Sequence, residues 1–479
     1  MPESWVNSAE RIGADLHLSL PAEKGGRQAA LTHALREAVR EGRLAPGTRL
    51  PPYRSLAADL AVARNTVASA YAELVAEGWL TARQGSGTRV AARATPPRPA
   101  QVTQRTQPPG PAHDLRQGQP DAASFPRTAW LAAGRRALVA APNEAFGPGD
   151  PQGRIELRSA LAEYLSRVRG VRTTPGRIVV CSGFAHALRL LYGGVGGRTR
   201  GLLRGPLAVE SYGLPFHRDL LDAAGVRTVP LSIDEYGANT GELGSPKGLK
   251  GVLLTPAHQF PTGGPLHSAR RAAAVDWARA HDALLVEDDY DGEFRYDREP
   301  VGAVQGLDPE RVVYLGSVSK SLSPAIRLGW MVLPDHLVEP VLAVKGQREA
   351  WASALDQLTL AELVASGHYD RHVRRMRQRY RARRDQLSEA LAAHAPHIGV
   401  TGVAAGLHAV LSLPAGTETA TLRAAARQGL ALDGLTGFRH PDATGPTADG
   451  LVVGYATPPE HAYGAALEAL CGVLPPAGP

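Results

Sequence analysis

Between Ala92 and Ala112 the chain reads ARATPPRPAQVTQRTQPPGPA, with six prolines and no aromatic or large aliphatic residue except Val102. Such a stretch cannot bury a core, so the chain must fold as separate units on either side of it: residues 1–91, a linker at 92–112, and residues 113–479. At about 3.1 Å per residue in polyproline II the linker reaches about 65 Å, so the flanking units need not touch. No internal repeat is present.

The rest of the composition narrows the class. The 479 residues are 43% hydrophobic and 21% charged, and the apolar runs stop short of the roughly 18 residues of a membrane span, so a soluble chain without membrane contact is expected. Two cysteines, Cys181 and Cys471, build neither a disulfide framework nor a CxxC metal site, and the first twenty residues lack a signal-peptide pattern; a reducing cytoplasm is the expected compartment. Sixteen histidines show no HExxH or paired spacing, so no metal is expected. The net charge of +7 is concentrated before residue 113, where 14 basic residues face 9 acidic ones; that is weak support for a polyanion partner. Only five of the basic residues are lysines, at 24, 247, 250, 320 and 345.

In the first unit, Arg27–Glu41 spaces Leu31, Leu35, Ala38 and Val39 at helical intervals before Gly42. Arg54–Leu60 is a short second helix, and Asn65–Glu77 places Val67, Tyr71, Leu74 and Val75 on one face before Gly78. WLTARQGSGTRVA then reads as two short strands around a Gly-Ser-Gly turn. Three helices and a hairpin make a winged helix-turn-helix, whose third helix enters the major groove of double-stranded operator DNA. The stretch GRLAPGTRLPPYRSLAADLAVARNTVASAYAELVAEGWLTARQGSGT resembles the DNA-binding domain of the GntR family. The resemblance implies contacts to phosphates or base edges from Arg54, Arg64 and Thr66, supported by Arg49, Asn65, Arg83, Gln84 and Gly85. Ala63 departs from the family's helix-capping Ser, a loss of about 1 kcal/mol.

In the second unit, IVVC, LAVE, VRTVPL, GVLLT, ALLVE, VVYLG and RLGWMVL alternate with helical stretches, which predicts an α/β fold around a mostly parallel seven-stranded sheet. Ligands of such sheets gather at the carboxyl ends of the strands. There CSGFAHAL offers the N–H groups of Gly183 and Phe184 to an anion. Lys320, flanked by Ser317, Ser319 and Ser321 with Arg327 seven residues on, can form a Schiff base beside a phosphate site. Asp288 can pair with a pyridinium nitrogen, and Tyr290 is placed for a ring oxygen.

That ordered set, with HQFPTG between its parts, resembles the fold-type I aminotransferases that use pyridoxal 5'-phosphate. The succession of winged helix, proline-rich linker and this domain is similar to the MocR/GabR regulators over about Gly26–Leu470. The resemblance implies a homodimer, a large subdomain at about 140–335, and a small subdomain built from both ends. It implies that Lys320 carries the cofactor, Asp288 and Tyr290 meet its ring, and Ser182, Gly183, Phe184, Ser317 and Arg327 hold its phosphate.

Four features depart from the family or leave two readings open. Phe146 stands where relatives often have Tyr, which puts a phosphate contact from the partner subunit in doubt. The usual ring-stacking Tyr falls on Leu214, with Tyr212 two residues earlier, and either could cover the ring. Leu451 stands where amino-acid-handling members place an Arg for the substrate carboxylate, and Arg439 in the preceding loop is the available substitute. Residues 371–384 hold eight arginines, either a polyanion site or a solvated helix whose stems cover apolar surface or pair across a subunit seam; the resemblance favours the latter.

These readings lead to a transcription regulator, not an enzyme, whose aminotransferase-like domain senses pyridoxal phosphate itself and so regulates vitamin B6 metabolism. The alternatives are a sensor of an amino acid or amine, a genuine aminotransferase with an accessory DNA-binding domain, and a cofactor buffer.

Overall fold

The computed structural model describes residues 26–83, 87–92, 110–193, 201–296, 301–346 and 352–476. The chain separates into two compact units, Met1–Pro109 and Gly110–Pro479.

The first unit contains α1 (Gly26–Arg40), α2 (Tyr53–Asp59), α3 (Arg64–Ala76) and an antiparallel hairpin of β1 (Leu80–Arg83) and β2 (Gly87–Val90), with Leu80 opposite Val90. Each helix begins and ends one residue earlier than its sequence pattern indicated. Gly42 and Gly78, both at positive φ, follow the ends of α1 and α3 and turn the chain where a Cβ would be strained. Leu31, Leu35 and Ala38 of α1 meet Leu56 and Ala57 of α2, Val67, Ala70, Tyr71 and Leu74 of α3, and Leu80 and Val90 of the hairpin in one apolar cluster. The Tyr71 hydroxyl, whose burial would otherwise be costly, donates to the Pro51 carbonyl at 3.1 Å.

All seven apolar runs of the second unit become strands of one sheet: β3 (Ile178–Cys181), β4 (Leu207–Glu210), β5 (Thr228–Leu231), β6 (Gly251–Leu254), β7 (Leu284–Asp288), β8 (Val312–Ser317) and β9 (Gly329–Val332). Their order is β3-β9-β8-β7-β6-β4-β5, and only β9 runs antiparallel to its neighbours. Pro230, which cannot donate to a ladder, lies in the edge strand β5. Separate apolar clusters cover the two faces, Val180, Tyr314 and Trp330 belonging to one and Val179, Val286 and Met331 to another, as the alternation of side chains along a strand requires. A second, four-stranded antiparallel sheet joins β10 (Gly399–Thr401), β11 (His408–Ser412), β12 (Asp433–Gly434) and β13 (Gly450–Gly454) in the order β10-β11-β13-β12.

Behind the end of β7, Arg169 donates to both oxygens of Asp289 at 2.7 and 2.9 Å and to the Val301 carbonyl at 2.8 Å, while the Tyr314 hydroxyl donates to Asp289 at 2.6 Å. Both charges are almost fully buried. Removing one partner of such a pair strands the other in low dielectric: Asp289→Ala should lower the stability of the second unit by about 3–5 kcal/mol in chemical denaturation. A loss below about 1 kcal/mol would show that Arg169 has found water or another acid.

Candidate functional site

The first unit brings its basic residues to the start of α3 and the hairpin. Arg64 and Asn65 open α3 exposed, Thr66 follows half-buried, and Arg54 is exposed on α2. Arg49 lies beside the hairpin, where a Cβ on Gly87 would come within 3.1 Å of its Nε, and Arg83 ends β1 exposed. Gln84 and Gly85 lie outside the described residues. Ala63 is the N-cap of α3 and supplies no side-chain cap. The helix is held by its buried face instead. Between α2 and α3 Ala61 sits at φ +50°, a non-glycine strain of about 1–2 kcal/mol that sequence patterning did not reveal, and its carbonyl accepts from Arg27 at 2.9 Å.

In the second unit a cavity of about 290 Å³ opens at the carboxyl ends of the large sheet. Lys320, Asp288, Tyr290, Ser317, Arg327, Gly183, Phe184 and Tyr212 all line it. Ser182 is not in the lining: its N–H donates to His186 Nδ1 at 3.1 Å, and Ser319 occupies the wall beside Lys320 instead.

Two connections, one before α6 and one between β8 and β9, shape one end of the cavity. Gly183 caps α6 (Phe184–Tyr192) at φ +112°, leaving the first N–H groups of that helix without intrahelical partners. Gly329 packs against it so closely that a Cβ there would come within 2.8 Å of Gly183 Cα. Arg327 sits at φ +56°, a conformation rare outside glycine, and has no carboxylate partner among the described residues.

Opposite these groups lies the titratable set. Lys320 Nζ donates to the Gly118 carbonyl, and burial holds its amine below the usual lysine range against the opposing pull of Asp291 and Asp288. Asp288 ends β7 only 8% exposed, and burial, with Asp289 and Asp291 nearby, pushes its carboxyl well up. It accepts no hydrogen bond among the described residues. The Tyr290 hydroxyl lies 2.9 Å from His258 Nδ1, itself 2.8 Å from Asp291.

The structure adds residues the sequence did not single out. Glu210, at the end of β4, lines the cavity, accepts from the N–H of Thr255 at 3.2 Å, and is pushed up to about 7 by burial. Burial pushes His217, whose ring centroid lies 4.3 Å from that of Phe184, down to about 3, and it does the same to His408, whose Nε2 is 3.1 Å from the Pro261 carbonyl. Glu210 closes LAVE as Asp288 closes its own strand, a signal that was legible. Neither histidine carries one.

The departures also find their places. Leu451 is fully buried in the apolar core of the small sheet. Arg439, the substitute the sequence offered, donates from its side chain to the Gly445 carbonyl at 2.8 Å and is not among the residues that line the cavity. Arg218, on α7 (Pro215–Ala223), lines the cavity instead, tied to the carbonyls of Gly213 at 2.7 Å and Phe438 at 3.1 Å. Both Tyr212 and Leu214 line the cavity and pack beside Phe260 and Phe438, so both remain able to cover a bound ring.

An amine, a phenol, a buried carboxyl without a donor among the described residues, and a glycine-capped helix start beside a guanidinium without a carboxylate partner among them together fit pyridoxal phosphate.

Comparison with known proteins agrees. The family model for bacterial regulatory proteins of the gntR family matches residues 27–90, and that for aminotransferase class I and II matches residues 112–444. The HTH-type pyridoxine biosynthesis transcriptional regulator PdxR of Corynebacterium glutamicum is 34% identical over 402 residues, covering 83% of this chain and 86% of that protein. MocR of Rhizobium meliloti, a probable rhizopine catabolism regulatory protein, is 32% identical over 451 residues and 89% of either protein. Among solved structures, an archaeal alanine:glyoxylate aminotransferase matches with a TM-score of 0.67 at 21% identity, covering 76% of this chain and 90% of that one.

Lys320 is the one lysine in the cavity lining among the described residues. Lys345, also buried, donates to the carbonyls of Pro151 and Val180. Lys320→Ala should therefore abolish the yellow absorbance of the cofactor-loaded protein, and borohydride reduction with peptide mapping should label residue 320; a label on any other lysine refutes the assignment. Glu210 gives a pH test. Its folded pKa of about 7 lies above the ordinary 4.5, so its burial costs nothing below about pH 4.5 and the cost grows until pH 7. In cofactor-free protein Glu210→Gln should leave Tm unchanged near pH 4.5 and raise it at pH 8, by up to about 3 kcal/mol in stability.

Proposed function

Since the chain belongs to the MocR branch of the GntR regulators, a winged helix joined to an aminotransferase class I and II domain, we propose that this pyridoxal phosphate-dependent transcription regulator takes the cofactor itself as its effector. The observation that carries this reading is a cavity with a full cofactor-holding set but no guanidinium at either position expected for a substrate carboxylate: Leu451 is core and Arg439 points elsewhere. The resemblance to a relative named for pyridoxine biosynthesis supports it.

In this reading Lys320 holds the cofactor by its amine, Asp288 shares a proton with the ring nitrogen, and Tyr290 meets the ring oxygen. Gly183, Phe184, Ser317 and Arg327 receive the phosphate. Pyridoxal phosphate supplies an aldehyde and an electron-withdrawing ring. Burial keeps His217 and His408 neutral, so they add no charge to compete with Asp288. The second unit senses occupancy and does not turn over substrate, while Arg54, Arg64 and Thr66 of the first unit read DNA.

The regulator acts as a homodimer. Its support is the helix α4 (Arg127–Ala140), which buries only Ala133 and exposes Leu131 and Val139 at 74% and 81%. With Leu138, Phe146, Ile155 and Leu355 these are six of the nine large apolar side chains exposed among the described residues, a concentration that marks an interaction surface. A second reading, an amino-acid effector, draws on Arg218 in the cavity wall.

Linkage tests the proposal. Operator DNA should change pyridoxal phosphate affinity, and the cofactor operator affinity, by one common factor of about 5- to 150-fold. Equal cofactor affinities with and without operator overturn it. A response to one amino acid that Arg218→Gln removes favours the second reading.

A further inference from the structure

Eight arginines lie between residues 371 and 384 of α11 (His368–His394); Arg384 is half-buried, and the structure divides the other seven. Three are used inside the unit: Arg377 donates to the Glu293 carbonyl, Arg379 pairs with Asp121 and Glu460 at 2.8 and 2.7 Å, and the almost fully buried Arg383 donates to the carbonyls of Tyr455 and Ala456. They share the inward side with His372, Val373, Met376 and Tyr380. Arg371, Arg374, Arg375 and Arg381 are exposed, with Gln378 among them, and at 100° per residue all five fall within one outward arc of about 120°.

Among the described residues the one acid that meets this stripe is Asp385, in a long, exposed pair with Arg381. Asp370 is taken by Arg167 at 2.8 Å, Asp385 reaches only Arg381, at 4.0 Å, and Arg375 donates to the His372 ring at 3.2 Å. Arg371 and Arg374 have no acidic partner among the described residues. Arginine stems that merely covered apolar surface would lie on the flanks of the buried side, whereas these four point away from it.

We propose that the outward stripe Arg371/Arg374/Arg375/Arg381 is a second DNA-contacting surface, which takes phosphates of the duplex flanking the site read by the winged helix. From Arg371 to Arg381 the helix advances about 15 Å, the axial length over which one strand of B-DNA presents about four phosphates. The occupant follows from the chain's own partner: a regulator that already holds duplex DNA through its first unit brings a polyanion to the second at high effective concentration. This inference rests on the DNA-binding reading above.

The test uses the full-length cofactor-loaded protein and a long operator duplex. In the triple variant Arg371→Gln/Arg374→Gln/Arg381→Gln, the slope of log K against log[salt] should become shallower by about 2 to 3, one for each phosphate no longer neutralised, with affinity at physiological salt down more than tenfold. The matching triple Lys variant keeps the charge and should keep the slope. Unchanged cofactor absorbance and sedimentation report that fold and assembly survive. A slope equal to that of the wild type overturns the proposal, as does a variant that loses its dimeric state, which would make the stripe a subunit seam. Absence of operator binding by the wild type, or indifference of binding to Arg64→Ala, would instead count against the DNA-reading role of the winged helix.

Discussion

The second unit depends on how one short run, EDDYDGE at 287–293, disposes of five carboxylates in seven residues. Crowded at a strand end in low dielectric they would repel one another, and the fold gives nearly every one its own donor. Glu287 accepts from the N–H groups of Val304 and Gln305, both at 2.9 Å. Asp289 takes Arg169 and Tyr314, Asp291 takes His258, and Glu293 takes the Tyr369 hydroxyl at 3.2 Å. Among the described residues Asp288 is the one carboxylate of the run without a donor, and it is the one in the cavity wall. With its neighbours held by partners of their own, Asp288 is the acid of the run that faces the cavity.

The same run ties the two sheets together. Arg377 of α11 donates to the Glu293 carbonyl, and the N–H of Gly406 donates to the Phe294 carbonyl at 2.7 Å just before β11 begins. The carboxylate run, the long helix and the entry to the small sheet are therefore braced against one another, and His408 enters the cavity from that braced strand.

Much of this was legible because buried strands read as unbroken apolar runs, and three of them, IVVC, ALLVE and VVYLG, lead into chemically telling residues. The small sheet was hidden for the opposite reason: β12 has two residues and β10 three, too short to establish a period. Within the site, residues belonging to a local pattern, such as Lys320 among serines, could be named in advance. His217 and His408 could not, since each comes from a different element and acquires a role only when the fold brings it to the cavity. Arg439 and Arg218 show the limit from the other side: nearness in sequence to the expected carboxylate position favoured Arg439, while the direction of the backbone turn sent its side chain out and left Arg218 in the wall.

The contact between Gly183 and Gly329 bears on how such a chain can change over time. Gly183 is restricted by its backbone angle and Gly329 by the atoms it would strike, two unrelated causes acting on residues from opposite ends of the large sheet's sequence. Neither position has a tolerated neighbour one substitution away, and changing one does not relieve the other. Substitution is therefore resisted at this glycine pair on two independent grounds, which makes this end of the cavity the part of its wall least free to change shape.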